Sequence, residues 1–400
     1  MLLFTLLTEN DPWQEIRGGQ AAFARSLLDV FGDEIAVACH GGDSAPEGRW
    51  SKRPWRGTDV WFFNLGGGDG GGMKTLLPRR ISGWRLTRKH ISEIRKLCGR
   101  CLIDNPEQFF PAATLKWESI AYLFSGVNNP VSNSRYRWLR WAGPLFEFVF
   151  VRKLRAAGVS LFLAAASRDS IEEFAARTGN VIRADEIFSF PPRVDNTVFY
   201  RRPDRERLRN ELHVDGPFLV VTGRLGWIKG WRLLLGAFAD FRRRHADATL
   251  CFLGGGEDRP ELEREVRRNG LTDRVVIRGF VDREETAKYL NAADLYLCGS
   301  HKEGWSVAMC EALACGCTVV STPVSGAVDM VRNGRNGFLV PERDPQLFAA
   351  KMDEALRLTG AAAASLEIAE RYRIDTLRTD LTTLWANRRT ADGTGRTAAP

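Results

Sequence analysis

Short apolar runs alternate with longer stretches of helical period along most of this chain. In the first half "LLFTLLT", "EIAVACH", "DVWFFNLGGG", "GRCLIDN" and "VSLFLAAAS" are brief apolar runs closed by Gly, Asn, His, Ser or Thr, which predicts strands. Between them "RGGQAAFARSLLDVFG" and "RDSIEEFAART" repeat apolar residues three and four apart, which predicts helices, the first entered through Gly18-Gly19. The second half is cleaner. "PFLVVTGRLGWIKGWRLLLGAFADFRRRH" reads strand, loop, helix, and "ATLCFLGGGEDRPELEREVRRNGL" repeats it. "RVVIRGFV", "ADLYLCGS" and "CTVVSTPV" add three short strands separated by helices. Such alternation predicts an α/β protein with doubly wound parallel sheets, whose ligands gather outside the carboxyl ends of the strands.

Length divides this pattern in two. The 400 residues suit two domains of about 150–200 residues each. The Pro-, Arg- and Asp-rich stretch "FSFPPRVDNTVFYRRPDRERLRNELHVDG" reads as the linker. We therefore expect a first domain over 1–190 and a second over 191–370. A C-terminal helix over 371–388 would pack back on the first domain, and a tail over 389–400, poor in apolar residues, would be disordered.

Composition excludes several classes. No run approaches the roughly 18 apolar residues of a membrane span. "MLLFTLLTENDPW" lacks the basic start and small-residue cleavage site of a signal peptide, which points to a strand and a cytoplasmic chain. The eight cysteines, Cys39, Cys98, Cys101, Cys251, Cys298, Cys310, Cys315 and Cys317, sit among apolar neighbours as free buried thiols do. "CGRC" at Cys98–Cys101 has no second pair or histidine cluster, so it reads as structural. "GGGDGGG" from Gly66 to Gly72 reads as a flexible loop, without the spacing of a phosphate loop.

Charge is uneven. The net +8 is concentrated in Arg49–Arg100, with 13 Lys or Arg against 3 Asp or Glu, and in Arg135–Arg155, with six against one. The second segment, "RYRWLRWAGPLFEFVFVRKLR", interleaves arginine with aromatic rings. This suits an anionic membrane surface or a phosphorylated substrate. No nucleic-acid reading module accompanies the basic residues, so a nucleic-acid partner is not expected.

The chemistry centres on "HKEGWSVAMCEALACG", His301 to Gly316. Glu303 follows a strand and precedes a helix, so the amides of Gly304, Trp305, Ser306 and Val307 form an open helix N-terminus fit for an anion. Glu311 lies eight residues on, about 12 Å along a helix, so only a long ligand reaches both acids. A nucleotide sugar has that reach, and an ionised carboxylate, which only accepts, suits vicinal ribose hydroxyls. In "VTGRLGWIKGW", Arg224 and Lys229 lie between a strand and a helix, where they would neutralise a departing diphosphate.

These residues resemble the retaining nucleotide-sugar glycosyltransferases of family 4. The matching pieces are "GRLGWIKGWRLLLGAF", "LCFLGGGED", "VVIRGFV", "PPRVDNTVF" and the long run from "AADLYLCGSHKEGWSVAMCEALACG" to "NGFLVP". The resemblance implies a GT-B architecture, two Rossmann-like doubly wound domains facing a central cleft. By it, Glu311 would bind the ribose and Glu303 the donor sugar. Arg224 and Lys229, with the amides of Ser306 and Val307, would bind the diphosphate. Gly279-Phe280 would lie against the nucleobase, and Gly18-Gly19 match the family's phosphate-contacting loop. Ser306 and Ser325-Gly326 depart from glycines usual in the family.

In the first domain many relatives carry a histidine facing the donor sugar, where this chain has "CLIDNPEQFFP". Asp104 or Asn105 are the acceptor-side candidates, with His40 at a strand end; His90, in a basic helix, is expected to be exposed. Glu303 and Glu311 are too far apart for a two-carboxylate glycosidase pair. Front-face attack assisted by the leaving phosphate is expected instead, without metal or other cofactor. The expected partners are a nucleotide-sugar donor and a sugar or lipid-linked acceptor of cell-surface polysaccharide or lipopolysaccharide synthesis. Arg79–Arg100 and Arg135–Arg155 would hold the enzyme peripherally on the inner face of the cytoplasmic membrane. An inactive nucleotide-sugar-binding subunit and a soluble small-molecule acceptor are the rival readings. "LCFLGGGEDRPELE" lacks the glycine spacing of a dinucleotide fingerprint, which counts against an NAD enzyme.

Overall fold

The computed structural model describes residues 2–14, 19–41, 46–66, 79–127, 141 and 143–391. The chain forms two compact units, one of Met1–Pro192 with Asp375–Pro400 and the other of Arg193–Ile374.

Over the described residues the first unit has eight strands: β1 (Phe4–Leu7), β2 (Ile35–Cys39), β3 (Trp50–Trp55), β4 (Thr58–Asn64), β5 (Arg100–Ile103), β6 (Ser119–Phe124), β7 (Leu161–Ala164) and β8 (Ile187–Ser189). They run in the order β3-β4-β2-β1-β5-β6-β7-β8. All neighbours are parallel except the β3–β4 hairpin. Its turn residues Arg56 and Gly57 have φ of 45° and 87°, the two positive values a tight hairpin turn requires. Pro54, which cannot donate to a ladder, is tolerated because β3 is an edge. The helices are α1 (Gly19–Phe31), α2 (Arg79–Leu97), α3 (Pro106–Ala112), α4 (Gly143–Ala156) and α5 (Arg168–Arg177). Strand order reverses between β1 and β5, which makes the carboxyl ends of these two strands the unit's switch point.

The second unit has six parallel strands: β9 (Phe218–Thr222), β10 (Thr249–Leu253), β11 (Val275–Gly279), β12 (Leu295–Cys298), β13 (Thr318–Ser321) and β14 (Gly337–Leu339). Their order is β11-β10-β9-β12-β13-β14, so its switch point lies between β9 and β12. Its helices are α6 (Arg205–Glu211), α7 (Trp231–Arg242), α8 (Arg259–Arg268), α9 (Arg283–Ala292), α10 (Val307–Ala314), α11 (Ala327–Met330), α12 (Pro345–Leu356) and α13 (Ala361–Ala369). Helix α7 shows how pattern becomes packing. Trp231, Leu234, Leu235, Phe238 and Phe241 recur three and four apart, and all are buried in the unit's core. Fully burying such a side chain contributes about 1.5–3 kcal/mol, and Phe238→Ala would cost about 3–5 kcal/mol.

The last helix, α14 (Leu377–Ala391), belongs to the first unit. Leu377, Leu381 and Trp385, four apart, are buried there, and the Trp385 ring lies 5.2 Å from that of Phe4. Arg378 grips both carboxylate oxygens of Glu34, at 2.7 and 2.9 Å, and holds that acid below its usual pKa. Because α14 runs to Ala391, the stretch expected to be disordered from 389 is helical in its first residues; 392–400 lie outside the described residues. All eight cysteines are buried and free. Among the described residues no helix is long and apolar enough to cross a membrane.

Candidate active site

At the β9/β12 switch point of the second unit, the loops after these two strands meet. Lys229 Nζ lies 2.6 Å from Glu303 Oε1, and Ser300 Oγ donates to the same oxygen at 2.6 Å. The Glu303 side chain is nearly enclosed, whereas Lys229 keeps about a third of its exposure. The loop carrying Glu303 is pinned from the next strands: Thr322 Oγ1 donates to Ser300 O at 2.7 Å, and Arg343 donates to Ser300 O and Gly299 O at 3.1 and 2.9 Å. Gly230, at φ 64°, allows α7 to start against the Gly299 carbonyl, which any Cβ there would overlap. Arg224 is exposed, and no carboxylate among the described residues pairs with it.

Helix α10 begins just beyond Glu303. Ser306 occupies its cap position without a side-chain cap bond, so the Val307 and Ala308 amides are left uncapped, while the Met309 amide donates to Ser306 O at 3.2 Å. Gly304 and Val307 are half-buried and Ser306 is buried. The Trp305 side chain turns inward, its Nε1 donating to Cys310 Sγ at 3.3 Å and its ring packing on Tyr372 at 5.7 Å, which leaves only its amide for a ligand. The start of α10, Lys229 and Arg224 thus lie in the loops that follow two neighbouring strands, β9 and β12.

Glu311, on α10, keeps partial exposure while protein surrounds its carboxyl. Burial raises its pKa to about 7, and the charge of Arg283 only partly opposes that rise. Arg283 in turn pairs with Asp195 at 3.3 Å. At the end of β11, Gly279 has φ 79° and the Phe280 ring is 73% exposed over Gly255. An exposed aromatic face at a strand's carboxyl end is available for stacking.

In the first unit, the switch point joins β1 to β5 by side chains. Thr8 Oγ1 donates to Asp104 Oδ2 at 2.9 Å, and Asn105 Nδ2 donates to Asp104 Oδ1 at 2.8 Å. Asn105 also caps α3, its Oδ1 accepting the Gln108 amide at 2.9 Å. Asp104 is buried, and desolvation raises its pKa to about 7 against the lowering effect of those hydrogen bonds. Gln20 bridges from α1, donating to Ser125 Oγ at 2.6 Å and to Asp104 O at 3.3 Å. His40 Nδ1 donates to Gly66 O at 2.8 Å, since the carbonyl can only accept. His90 corrects an expectation: it is tucked under Gly48 and against Phe63 rather than exposed, and burial lowers its pKa. Gly19 opens α1, while Gly18 lies outside the described residues, as do residues 67–72 of the glycine-rich loop.

The basic segments are less uniform than their sequence. Arg135, Arg137, Arg140, Tyr136 and Trp138 lie outside the described residues. On α4, Phe150 is core and Phe146 packs against it, so neither faces solvent as an interfacial ring would. Arg155 is engaged by Glu186 at 2.7 Å. Trp141 (78% exposed), Leu145, Phe148 and Val149 do face outward, with Arg152 4.0 Å over the Phe148 ring. On α2, Lys89 pairs with Glu47 and Lys96 with Glu93, so part of the Arg79–Arg100 charge is neutralised.

Residues 216–357 match the family described as Glycosyl transferases group 1. The D-inositol 3-phosphate glycosyltransferase of Xylanimonas cellulosilytica is 32% identical over 214 residues, half of each chain. The GDP-mannose-dependent alpha-(1-6)-phosphatidylinositol monomannoside mannosyltransferase of Mycolicibacterium smegmatis is 31% identical over 183 residues, 44% of this chain and 48% of its own. The chain thus spans about half the length of the curated relatives it matches. Among solved structures, the sucrose-phosphate synthase of Thermosynechococcus elongatus superposes with a TM-score of 0.78 at 18% identity, covering 97% of this chain and 99% of that one. Anabaena HepE in complex with UDP and glucose gives 0.72 at 19%, covering 96% and 99%. The fold is therefore the GT-B architecture of two Rossmann-like domains. Within that fold, residues 216–357 of the second unit are the part similar to the Glycosyl transferases group 1 family.

Proposed function

We propose that the chain is a retaining glycosyltransferase that moves a sugar from a nucleoside-diphosphate sugar to an acceptor. The observation that carries this reading is the Lys229–Glu303 pair beside the open N-terminus of α10. In this reading the diphosphate lies over the α10 amides, Arg224 and Lys229 contact its oxygens, Glu311 accepts from the ribose and Phe280 faces the base. The anomeric C–O bond to the β-phosphate breaks, the acceptor oxygen bonds to the same carbon from the same face, and the leaving phosphate oxygen takes the acceptor's proton. Arg224, Lys229 and the helix amides offset the charge that develops on that oxygen, an effect worth about 2.7–4 kcal/mol for one well-placed donor. With two fixed cations in that role, the reaction is proposed to need no metal.

The acceptor is proposed to be a lipid-linked sugar of cell-surface polysaccharide or lipopolysaccharide synthesis, met on the cytoplasmic face of an anionic membrane. The outward stripe of Trp141, Leu145, Phe148, Val149 and Arg152 supports this, since apolar rings beside arginine suit the membrane interface. UDP-glucose and GDP-mannose are the donors to try first, because HepE was solved with UDP-glucose and the mycobacterial relative is named for GDP-mannose. The test is a thermal-shift screen of UDP-, GDP- and ADP-sugars followed by transfer assays with and without EDTA. A ligand at 100 times its Kd adds about 2.7 kcal/mol of stability. The reading predicts stabilisation by one nucleotide class and EDTA-resistant transfer with retained anomeric configuration. Binding without transfer to any acceptor would favour the inactive subunit.

A further inference from the structure

The two loops that pair Lys229 with Glu303 also wall a separate cavity of about 380 Å³ in the second unit, within the size range of small-ligand pockets. Trp227, Arg232 and Leu233 line one side, and His301, Arg343 and Pro345 the other. Trp227 is a large ring left 60% exposed, with the His301 ring 5.3 Å away at 51°. His301 N donates to Ile228 O at 2.7 Å, which ties the loops together between this cavity and the Lys229–Glu303 pair.

The charges here are one-sided. Arg343 spends two donors on the carbonyls of Ser300 and Gly299, and no carboxylate among the described residues pairs with it. A guanidinium has five N–H donors, so three remain. Burial holds Arg343 below its ordinary pKa, a mark of a cation that has lost water without gaining an acid. Burial and then the Arg343 charge push His301 down as well, which leaves a neutral imidazole at pH 7. Arg232 is engaged by Glu261 at 2.5 Å. Helix α7 enters at the cavity with Gly230 at its cap and no side-chain cap bond, so its first amides add positive potential. A side chain on Gly230 would come within 2.6 Å of Arg343 Nη2, so glycine keeps this room open.

We propose that this cavity is a second carbohydrate subsite, in which a sugar ring bearing a carboxylate or phosphate stacks on Trp227 and places its acid on Arg343. The indole offers a flat apolar face to the C–H face of a pyranose. The unpaired guanidinium and the α7 amides select the anion. His301, able to donate at one nitrogen and accept at the other, serves a ring hydroxyl. The proposal does not depend on the donor-site reading, because no side chain of the subsite is assigned to contact the donor, and Arg343 meets the Glu303 loop only through the backbone carbonyls of Ser300 and Gly299.

Saturation-transfer NMR on the full chain, titrating glucuronate, glucose 6-phosphate and glucose with and without saturating UDP, tests it. Both acids, or one of them if the site separates carboxylate from phosphate, should bind in the presence of UDP at least tenfold more tightly than glucose. Trp227→Ala should abolish binding, and Arg343→Gln should reduce an acidic sugar to the level of glucose. Trp227→Ala should keep the wild-type thermal shift with UDP, which also shows that it folds, and Arg343→Gln, which gives up its hold on the Glu303 loop, is checked for folding by circular dichroism. Displacement by UDP, equal binding of glucose, or undiminished binding in Trp227→Ala would each overturn the proposal. Failure of UDP itself to bind would count against the donor site and leave this subsite standing.

Discussion

Lys229 Nζ and Glu303 Oε1 lie 2.6 Å apart across the β9/β12 switch point, so the cation proposed for the diphosphate and the acid proposed for the sugar neutralise each other. A diphosphate that draws Lys229 toward itself frees Glu303 to accept from a sugar hydroxyl. On the proposed donor site, donor binding would include exchange of this pair, and the two residues would act as a unit. Glu303→Gln should therefore keep or improve UDP affinity, by up to several-fold, while kcat falls about 10²–10³-fold. Lys229→Ala should lower kcat to a similar extent and weaken UDP only a few-fold. In the double variant the losses should not multiply. Steady-state kinetics with calorimetric UDP binding checks this; UDP affinity that drops sharply in Glu303→Gln would rule out the exchange.

If Glu311 accepts from the ribose as proposed, nucleotide binding should depend on pH. Its pKa is raised to about 7 by burial, so at pH 6 most of it is protonated and can no longer accept from both ribose hydroxyls. If the ionised form binds, affinity should rise roughly tenfold per pH unit below 7 and level off above it. Nucleotide phosphates titrate in the same region, so the comparison is between wild type and Glu311→Gln. The variant should bind more weakly at pH 8 and lose that part of the slope which belongs to the protein. Parallel pH profiles for the two proteins would remove Glu311 from the ribose.

Most of the second unit was legible because its chemistry obeys a local rule: strand, short polar loop, helix. "LYLC" followed by Glu303, and "FLVV" followed by Arg224 and Lys229, place charge at strand ends by local order alone. What the sequence does not show is which distant loops converge. Arg343 is 43 residues beyond Ser300, and only the β12-β13-β14 order brings its guanidinium onto that carbonyl. In the first unit the pattern is weaker. "SIAYLF" is a strand buried along its length, and "WSKRPW" is an edge strand whose charges and proline mask it. Phe150 and Trp141 read alike in sequence, yet one is core and the other exposed, because helix phase decides.

Asp104 should cost the protein stability as pH rises. Its folded pKa is about 7 against an ordinary value of 3.8, so the folded state holds the proton more tightly than the unfolded chain. The contribution is fully present below about pH 4 and is lost as pH climbs through 7. Between pH 5 and pH 8 the loss is roughly 2–3 kcal/mol at 1.36 kcal/mol per pKa unit. Asp104→Asn removes the titration and keeps an acceptor for Asn105, while the Thr8 hydroxyl can turn to accept. Urea unfolding at the two pH values should show a smaller decline in the variant, which should be the more stable protein at pH 8. Identical declines would mean that Asp104 stays ionised across the range.

Membrane attachment, finally, should depend on the exposed face of α4 rather than on every ring in the basic segment. Leu145, Phe148, Val149 and Arg152 lie on one helical face, with Trp141 one turn before it, whereas Phe150 and Leu154 point into the core. Substituting the outward residues should thus leave folding intact, and substituting the inward ones should not. Burying one phenylalanine in an interface contributes about 1.5–3 kcal/mol and one arginine near an anionic surface about 1 kcal/mol. Phe148→Ser with Arg152→Gln should then weaken binding to anionic vesicles by about a hundred- to a thousandfold without changing the melting temperature. Salt should weaken the wild type too, since part of the attraction is screened. Co-sedimentation with anionic and neutral vesicles at low and high salt measures both effects. Recovery of the wild type in the supernatant under all four conditions would make a soluble acceptor the better reading, with the α4 stripe left to a protein partner.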